Sequence, residues 1–144
     1  MLNIEFVLHE KELDNFTRQT IIRVCELVSE QLDLPGKVQI EYKKLSDSTY
    51  GETSLNPRFR NRVTINSLLS SSELIQPLIH ELIHLHQIHT NKLEIRRDGV
   101  FVWCGKKYDV NKTLSYQEYL DLPWENDVIN KIKILTKNII DNIR

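Results

Sequence analysis

The stretch that decides how this chain is read is Leu78-Ile79-His80-Glu81-Leu82-Ile83-His84-Leu85-His86-Gln87-Ile88-His89. Four of the chain's five histidines fall here within ten residues, where random placement would put about 0.35. His80-Glu81-Leu82-Ile83-His84 has the form HExxH. On a helix, residues four apart stand one turn above the other on a single face. Two imidazoles so placed offer ring nitrogens to one ion at the roughly 2.0–2.1 Å that suits zinc. Glu81 lies beside that face but out of line with the ligands, so it reaches a metal-activated water without binding the ion. The apolar residues Leu78, Ile79, Leu82, Ile83 and Leu85 make the helix a buried one. Burying two histidines and a glutamate without a partner is costly, and a metal offsets that cost.

The remaining histidines separate on the same helical wheel. His86 and His89 point well away from the His80/His84 face. His86 is expected as a core-facing or surface polar residue, and His89 as a last-turn residue favoured by the helix dipole. Gln87 and Asn91 continue the metal face, either to line a substrate groove or to hydrogen-bond a ligand histidine. A catalytic zinc site needs a third protein ligand and one open position. His9 is one candidate. Two acids, Glu125 and Asp127 in Leu122-Pro123-Trp124-Glu125-Asn126-Asp127-Val128, are better placed, although helix-dipole complementation alone accounts for either.

Working outward, Leu2 to Leu8 reads as a strand and Glu10 to Leu32 as a helix with Phe16, Ile21, Val24, Leu27, Val28 and Leu32 on its apolar face. Lys37 to Tyr42 alternates as a half-buried strand, and Tyr50 to Leu55 and Arg62 to Asn66 are two shorter ones separated by a turn at Asn56-Pro57. The histidine helix is expected over Ser70 to about Thr90, with Ser70 and Glu73 at capping-box spacing. Pro77 argues for a kink or a start at Pro77 capped by Gln76. Leu93 to Tyr108 reads as a hairpin turning at Asp98-Gly99, Ser115 to Leu120 as a short helix, and Pro123 to Ile143 as a long one. The last carries Ile129, Ile132, Leu135, Ile139 and Ile143 as its apolar stripe. This order is α+β.

Composition bounds the function. The 144 residues make one domain, residues 1–144, and the charge is near neutral at -1. Near-neutral charge argues against a nucleic-acid partner, and Arg58, Arg60 and Arg62 read as a local solvated loop. No run approaches the ~18 apolar residues of a membrane helix, and the start has no basic signal-peptide region, so a cytoplasmic location is expected. Two distant cysteines exclude a disulfide framework: Cys25 reads as core, and Cys104 as a buried or edge thiol.

HExxH followed some forty residues later by a helix-borne glutamate resembles the gluzincin branch of the zincin metallopeptidases. More narrowly, His80 to Gln87, the Trp-containing hairpin, and Tyr116-Gln117-Glu118-Tyr119-Leu120-Asp121-Leu122-Pro123-Trp124-Glu125 resemble small phage and bacterial metallopeptidase-like proteins with a Pro-Trp-Glu-x-Glu-Ala helix start. The match runs roughly from Arg62 to Val128, and it departs at Asp127 and Val128. The resemblance implies a small zincin-like domain: a short mixed or antiparallel sheet packed on the HExxH helix, a hairpin, and a glutamate helix. It implies Zn²⁺ held by His80, His84 and Glu125. Asp127 then orients a histidine or serves as the alternative ligand. It also implies a sheet-edge strand pairing with extended substrate, for which Val63, Thr64, Ile65 and Asn66 are the counterpart. The expected activity is hydrolysis of a peptide or protein through a metal-activated water, with Glu81 as general base. Tyr108, Tyr116, Tyr119 and Arg96 are candidates to stabilise the oxyanion, and Trp103 and Trp124 to seal the cleft. The alternative is a zinc-stabilised binding or regulatory module on the same scaffold, weakly active or inactive.

Overall fold

The computed structural model describes residues 2–8, 13–54, 57–96, 98–110 and 114–143. The elements are β1 (Asn3–Leu8), α1 (Asn15–Gln31), β2 (Lys37–Lys43), β3 (Gly51–Thr53), β4 (Arg62–Asn66), α2 (Ile75–His89), β5 (Leu93–Ile95), β6 (Phe101–Trp103), β7 (Lys106–Tyr108), α3 (Tyr116–Leu120) and α4 (Pro123–Asn142). The fold is α+β, as the element order predicts. His9, Glu10 and the Asn56 end of the expected turn lie outside the described residues.

One sheet has the order β1-β2-β4-β3, parallel from β1 through β4, with β3 antiparallel on the edge. Period-two alternation divides its faces. Val38, Ile40, Tyr42, Val63 and Ile65 face the helices and are buried. Lys37, Gln39 and Arg62 face outward and join Glu5 in a polar network. Arg62 is therefore not simply solvated, because it also lies over the Phe59 ring and 3.7 Å from Glu41.

Helices α1, α2 and α4 pack on one another, and α2 also packs on β3, β4 and β5. Being surrounded, α2 is buried from Leu78 to Gln87 except at His80. Its start explains the proline. Ser70 and Glu73 exchange the expected capping hydrogen bonds, but they close a preliminary turn, and the α-helix begins at Ile75. Pro77 thus falls in the first turn, where its missing N–H removes nothing, so the helix neither kinks nor waits for Pro77.

Three expectations are corrected. Phe16 is exposed: α1, capped by Asp14 accepting from the Thr17 N–H, packs with Thr17, Ile21, Val24 and Val28 inward and leaves Phe16 outside that buried face. Ile129 is exposed as well, since α4 buries Trp124, Val128, Leu135 and Ile139. The Leu93–Tyr108 segment is a three-stranded meander, not one hairpin. A second turn occurs at Cys104-Gly105, both with positive φ (48° and 85°), the conformation of a tight two-residue connection. Cys104 is accordingly exposed rather than buried. No helix among the described residues is long and apolar enough to cross a membrane.

Candidate metal centre

Helix α2 brings His80 and His84 to one face, with ring centroids 5.0 Å apart. Helix α4 brings Glu125 to meet them. Its placement begins with Pro123 at the helix start and Trp124 beside it. The indole stacks on Phe101 at 5.1 Å and meets the edge of Tyr108 at 5.7 Å, so the meander anchors this end of α4. Glu125 then points inward. Its Oε1 lies 2.9 Å from His84 Nε2 and its Oε2 lies 3.5 Å from His80 Nε2. One ligating atom from each of the three residues falls within 4.8 Å of the others, a group that can hold a metal ion. Two imidazoles and one carboxylate are a fitting donor set for a divalent transition metal.

Supporting contacts aim two of the three side chains, His84 and Glu125. His84 Nδ1 lies 2.8 Å from Gln87 Oε1. The Gln87 amide donates to the Trp124 carbonyl and to Asp127 Oδ2, both at 2.9 Å. Lys131 donates to the same Asp127 oxygen at 3.0 Å. Gln87 is fully buried, so of its two expected roles it fills the second: it bonds His84, a candidate ligand, and does not line a groove. Asp127 is not beside the ligating group and orients His84 only through Gln87. With Gln87 Oε1 accepting, His84 keeps its proton on Nδ1 and leaves Nε2 for a metal. Asn91 lies beyond the end of α2, exposed and in the left-handed region at φ 61°.

Glu81 is buried and leans toward β3. Thr53 Oγ1 makes contacts of 2.8 Å with its carboxylate and 2.9 Å with its backbone carbonyl. Gly51 leaves room for it: a Cβ there would stand 3.1 Å from Glu81 Cγ and 3.1 Å from the Thr64 carbonyl. The Tyr119 hydroxyl, on α3, donates to Glu125 Oε1 at 2.8 Å. Gly51 and Thr53 are contributions the sequence reading did not assign, because only the β3–β4 pairing brings them to Glu81.

The electrostatics follow from burial and these contacts. Burial pushes the Glu81 carboxyl above its ordinary value, against the pull of His84 and His80. Burial alone would raise Glu125 too, but hydrogen bonds from His80 and His84 overturn that and hold it far below the carboxylate range. Burial lowers His84, yet its hydrogen bond to Glu125 and that residue's charge carry it above its ordinary value. Burial, then the Glu125 charge, pushes the Tyr119 phenol well up, so it stays protonated and able to donate.

One expected element falls elsewhere. Strand β4 is not an edge: β2 and β3 occupy both its sides, and Val63, Thr64, Ile65 and Asn66 are buried. They therefore cannot pair with a substrate backbone. The edge beside α2 is β3. Among the other expected contributors, Tyr108 packs on Trp124, Arg96 sits at the β5–β6 turn, and Tyr116 is exposed. His86 is held away from the site by Asp33, whose carbonyl lies 2.7 Å from its Nδ1, while His89 closes the last turn of α2.

A groove of about 980 Å³ opens at His80, Glu81 and Tyr119 and runs between the first turns of α2 and the middle of α4. Comparison with protein-family models, curated proteins and solved structures yields no match to the chain.

Proposed function

We propose that the chain is a zinc-dependent peptidase of small zincin-like build, with His80, His84 and Glu125 as the zinc ligands and Glu81 as the general base. The observation that carries this reading is the convergence of those three side chains from two helices, with a buried carboxylate beside them. Three protein ligands leave one position open, as a catalytic site requires. A bound zinc ion supplies Lewis-acid polarisation of the scissile carbonyl and acidifies the attacking water. Glu81 accepts the proton of that water and returns it to the leaving amine, a role favoured by its raised pKa. The Thr53 hydroxyl holds the Glu81 carboxylate in position. Of the four candidates for the oxyanion, Tyr119 is the one whose hydroxyl reaches the ligand group, and it faces the groove. The free edge of β3 offers backbone groups to an extended peptide.

The test is metal analysis of the purified protein together with Glu81→Gln, Glu125→Ala and Asp127→Ala. Wild type should carry zinc, Glu81→Gln should keep it while losing hydrolysis of a peptide library, Glu125→Ala should lose it, and Asp127→Ala should retain it more weakly. A folded protein that takes up no zinc would overturn the reading. Hydrolysis that survives Glu81→Gln would also do so.

A further inference from the structure

Strand β3 holds Glu81 through Thr53, and it is the last strand of its sheet. Its ladder with β4 fixes which of its groups face which way. Gly51, Glu52 and Thr53 stand opposite Ile65, Thr64 and Val63. On either side, the Asn66 N–H donates to the Tyr50 carbonyl at 3.0 Å and the Ser54 N–H donates to the Arg62 carbonyl at 2.9 Å. Bonded and non-bonded pairs alternate in an antiparallel ladder. Glu52 therefore turns its N–H and C=O toward β4, while Gly51 and Thr53 turn theirs to the open side. Side chains alternate between the two faces of the sheet. The Thr53 hydroxyl and the space at Gly51 lie toward Glu81, so Glu52 projects from the opposite face, where it is exposed. Its cross-strand row runs Glu41, Thr64, Glu52. Glu41 accepts from Thr64 Oγ1 at 2.8 Å and lies 3.7 Å from both Arg62 and Lys43. Glu52, at the end of the row, has no such partner among the described residues.

We infer that Glu52 is a specificity-determining residue, selecting substrates with lysine or arginine at one position of the segment paired along β3. The inference rests on the peptidase reading, which lays an extended chain on that edge. A chain antiparallel to β3 places two of its residues in bonded pairs with Gly51 and Thr53. The residue between them falls opposite Glu52 in a non-bonded pair, where side chains come closest, with Cβ atoms about 4.5–5.5 Å apart. Its side chain shares the outer face with Glu52, away from α2. A lysine or arginine there gives Glu52 the cation that Arg62 and Lys43 give Glu41, whereas an aspartate or glutamate meets it as a like charge. The substrate class is then a protein whose extended segment carries a basic residue at that position.

The probes are short fluorescein-labelled peptides of alanine and threonine, identical but for one central lysine or glutamate. Each is titrated by anisotropy into zinc-loaded Glu81→Gln protein, and into the same protein carrying Glu52→Gln or Glu52→Lys, with zinc content and melting recorded. The lysine peptide should bind about 2–30-fold more tightly than the glutamate peptide, since the cross-strand contact is attractive in one and repulsive in the other. Glu52→Gln should erase that preference and Glu52→Lys should invert it, with zinc content unchanged. Glu94→Lys, at an exposed acid on β5, controls for overall charge and should leave it in place. N-methylation of either neighbour of the lysine should weaken binding more than N-methylation of the lysine itself, whose N–H points away from β3. A preference that Glu52→Lys leaves unchanged, one that Glu94→Lys alters equally, or no binding of either peptide overturns the inference. Protein with Glu81 intact separates the two levels. A preference that inverts, without any cleavage, refutes the peptidase reading and leaves the edge site. Cleavage without the preference refutes the role of Glu52 alone.

Discussion

Replacing Gln87 by methionine keeps the volume of a fully buried side chain and removes its amide. Three contacts are lost: to His84 Nδ1 at 2.8 Å, and to the Trp124 carbonyl and Asp127 Oδ2 at 2.9 Å each. Neutral hydrogen bonds contribute about 0.5–1.5 kcal/mol each and those to charged groups about 1.5–3. With two neutral partners and one charged one the sum is roughly 2.5–6 kcal/mol, and the added apolar burial of methionine returns about 1. The expected net loss of stability is therefore roughly 1.5–5 kcal/mol. The imidazole is also left free to rotate, and loss of such an orienting partner typically lowers metal affinity about 10–100-fold. Zinc affinity is read by competition with a chromophoric chelator, and stability by denaturant melts of the metal-free protein. Gln87→Glu is the informative partner variant. It can still accept from His84, but it sets a second carboxylate against Asp127, so its zinc affinity should depend more steeply on pH. If Gln87→Met binds zinc as tightly as wild type, the Asp127–Gln87–His84 connection does not orient the ligand and the reasoning fails.

The other predictions concern the same neighbourhood. Tyr119→Phe should retain zinc and lower kcat by about 100–1000-fold with little change in KM, the range for one oxyanion donor; an unchanged kcat refutes its role. Gly51→Ala forces a Cβ against Glu81 and the Thr64 carbonyl, and should cost about 1–3 kcal/mol in a thermal melt. In metal-free protein, depressed Glu125 stabilises above the ordinary carboxylate pKa and loses that effect as pH falls through its folded value. Raised His84 stabilises below the ordinary imidazole pKa and loses that effect as pH rises through its folded value. Stability with chelator should therefore peak on the mildly acidic side of neutrality, between the two ordinary pKa values, and decline above it. With zinc present it should instead rise toward neutral pH, because the ligands must lose their protons to bind. Parallel pH profiles with and without zinc would contradict this.

The His80/His84 pair on α2 was legible because a single helix fixes its geometry: four residues is one turn, whatever the rest of the chain does. Glu125 was reachable only by pattern, since the approach of α4 depends on Trp124 meeting Phe101 and Tyr108 across the fold. Gln87 could be assigned to the correct helical face, but its choice between substrate and His84 was decided by burial beneath α4. The edge strand was misassigned for a non-local reason. Nothing in Arg62–Asn66 reveals that Gly51–Thr53 will cover it, and the same pairing hid Thr53 and Gly51 from the site. Phe16 and Ile129 show the limit of helical periodicity when a broad apolar face exceeds what the neighbouring elements can cover. The Cys104-Gly105 turn did carry a local signal, a glycine between two short alternating runs, which the aromatic character of Phe101 and Trp103 obscured.

The two thiols have a practical consequence. Cys25 is fully buried, and burial pushes its thiol up to about 12, so at neutral pH it is neither accessible nor ionised. Cys104 stands exposed at the tip of the β6–β7 turn. The unmodified chain should thus accept a maleimide dye at one position without engineering. That position belongs to the meander on which Trp124 rests, one residue before Glu125. A fluorophore there would serve as a built-in gauge of whether the two helices are clasped.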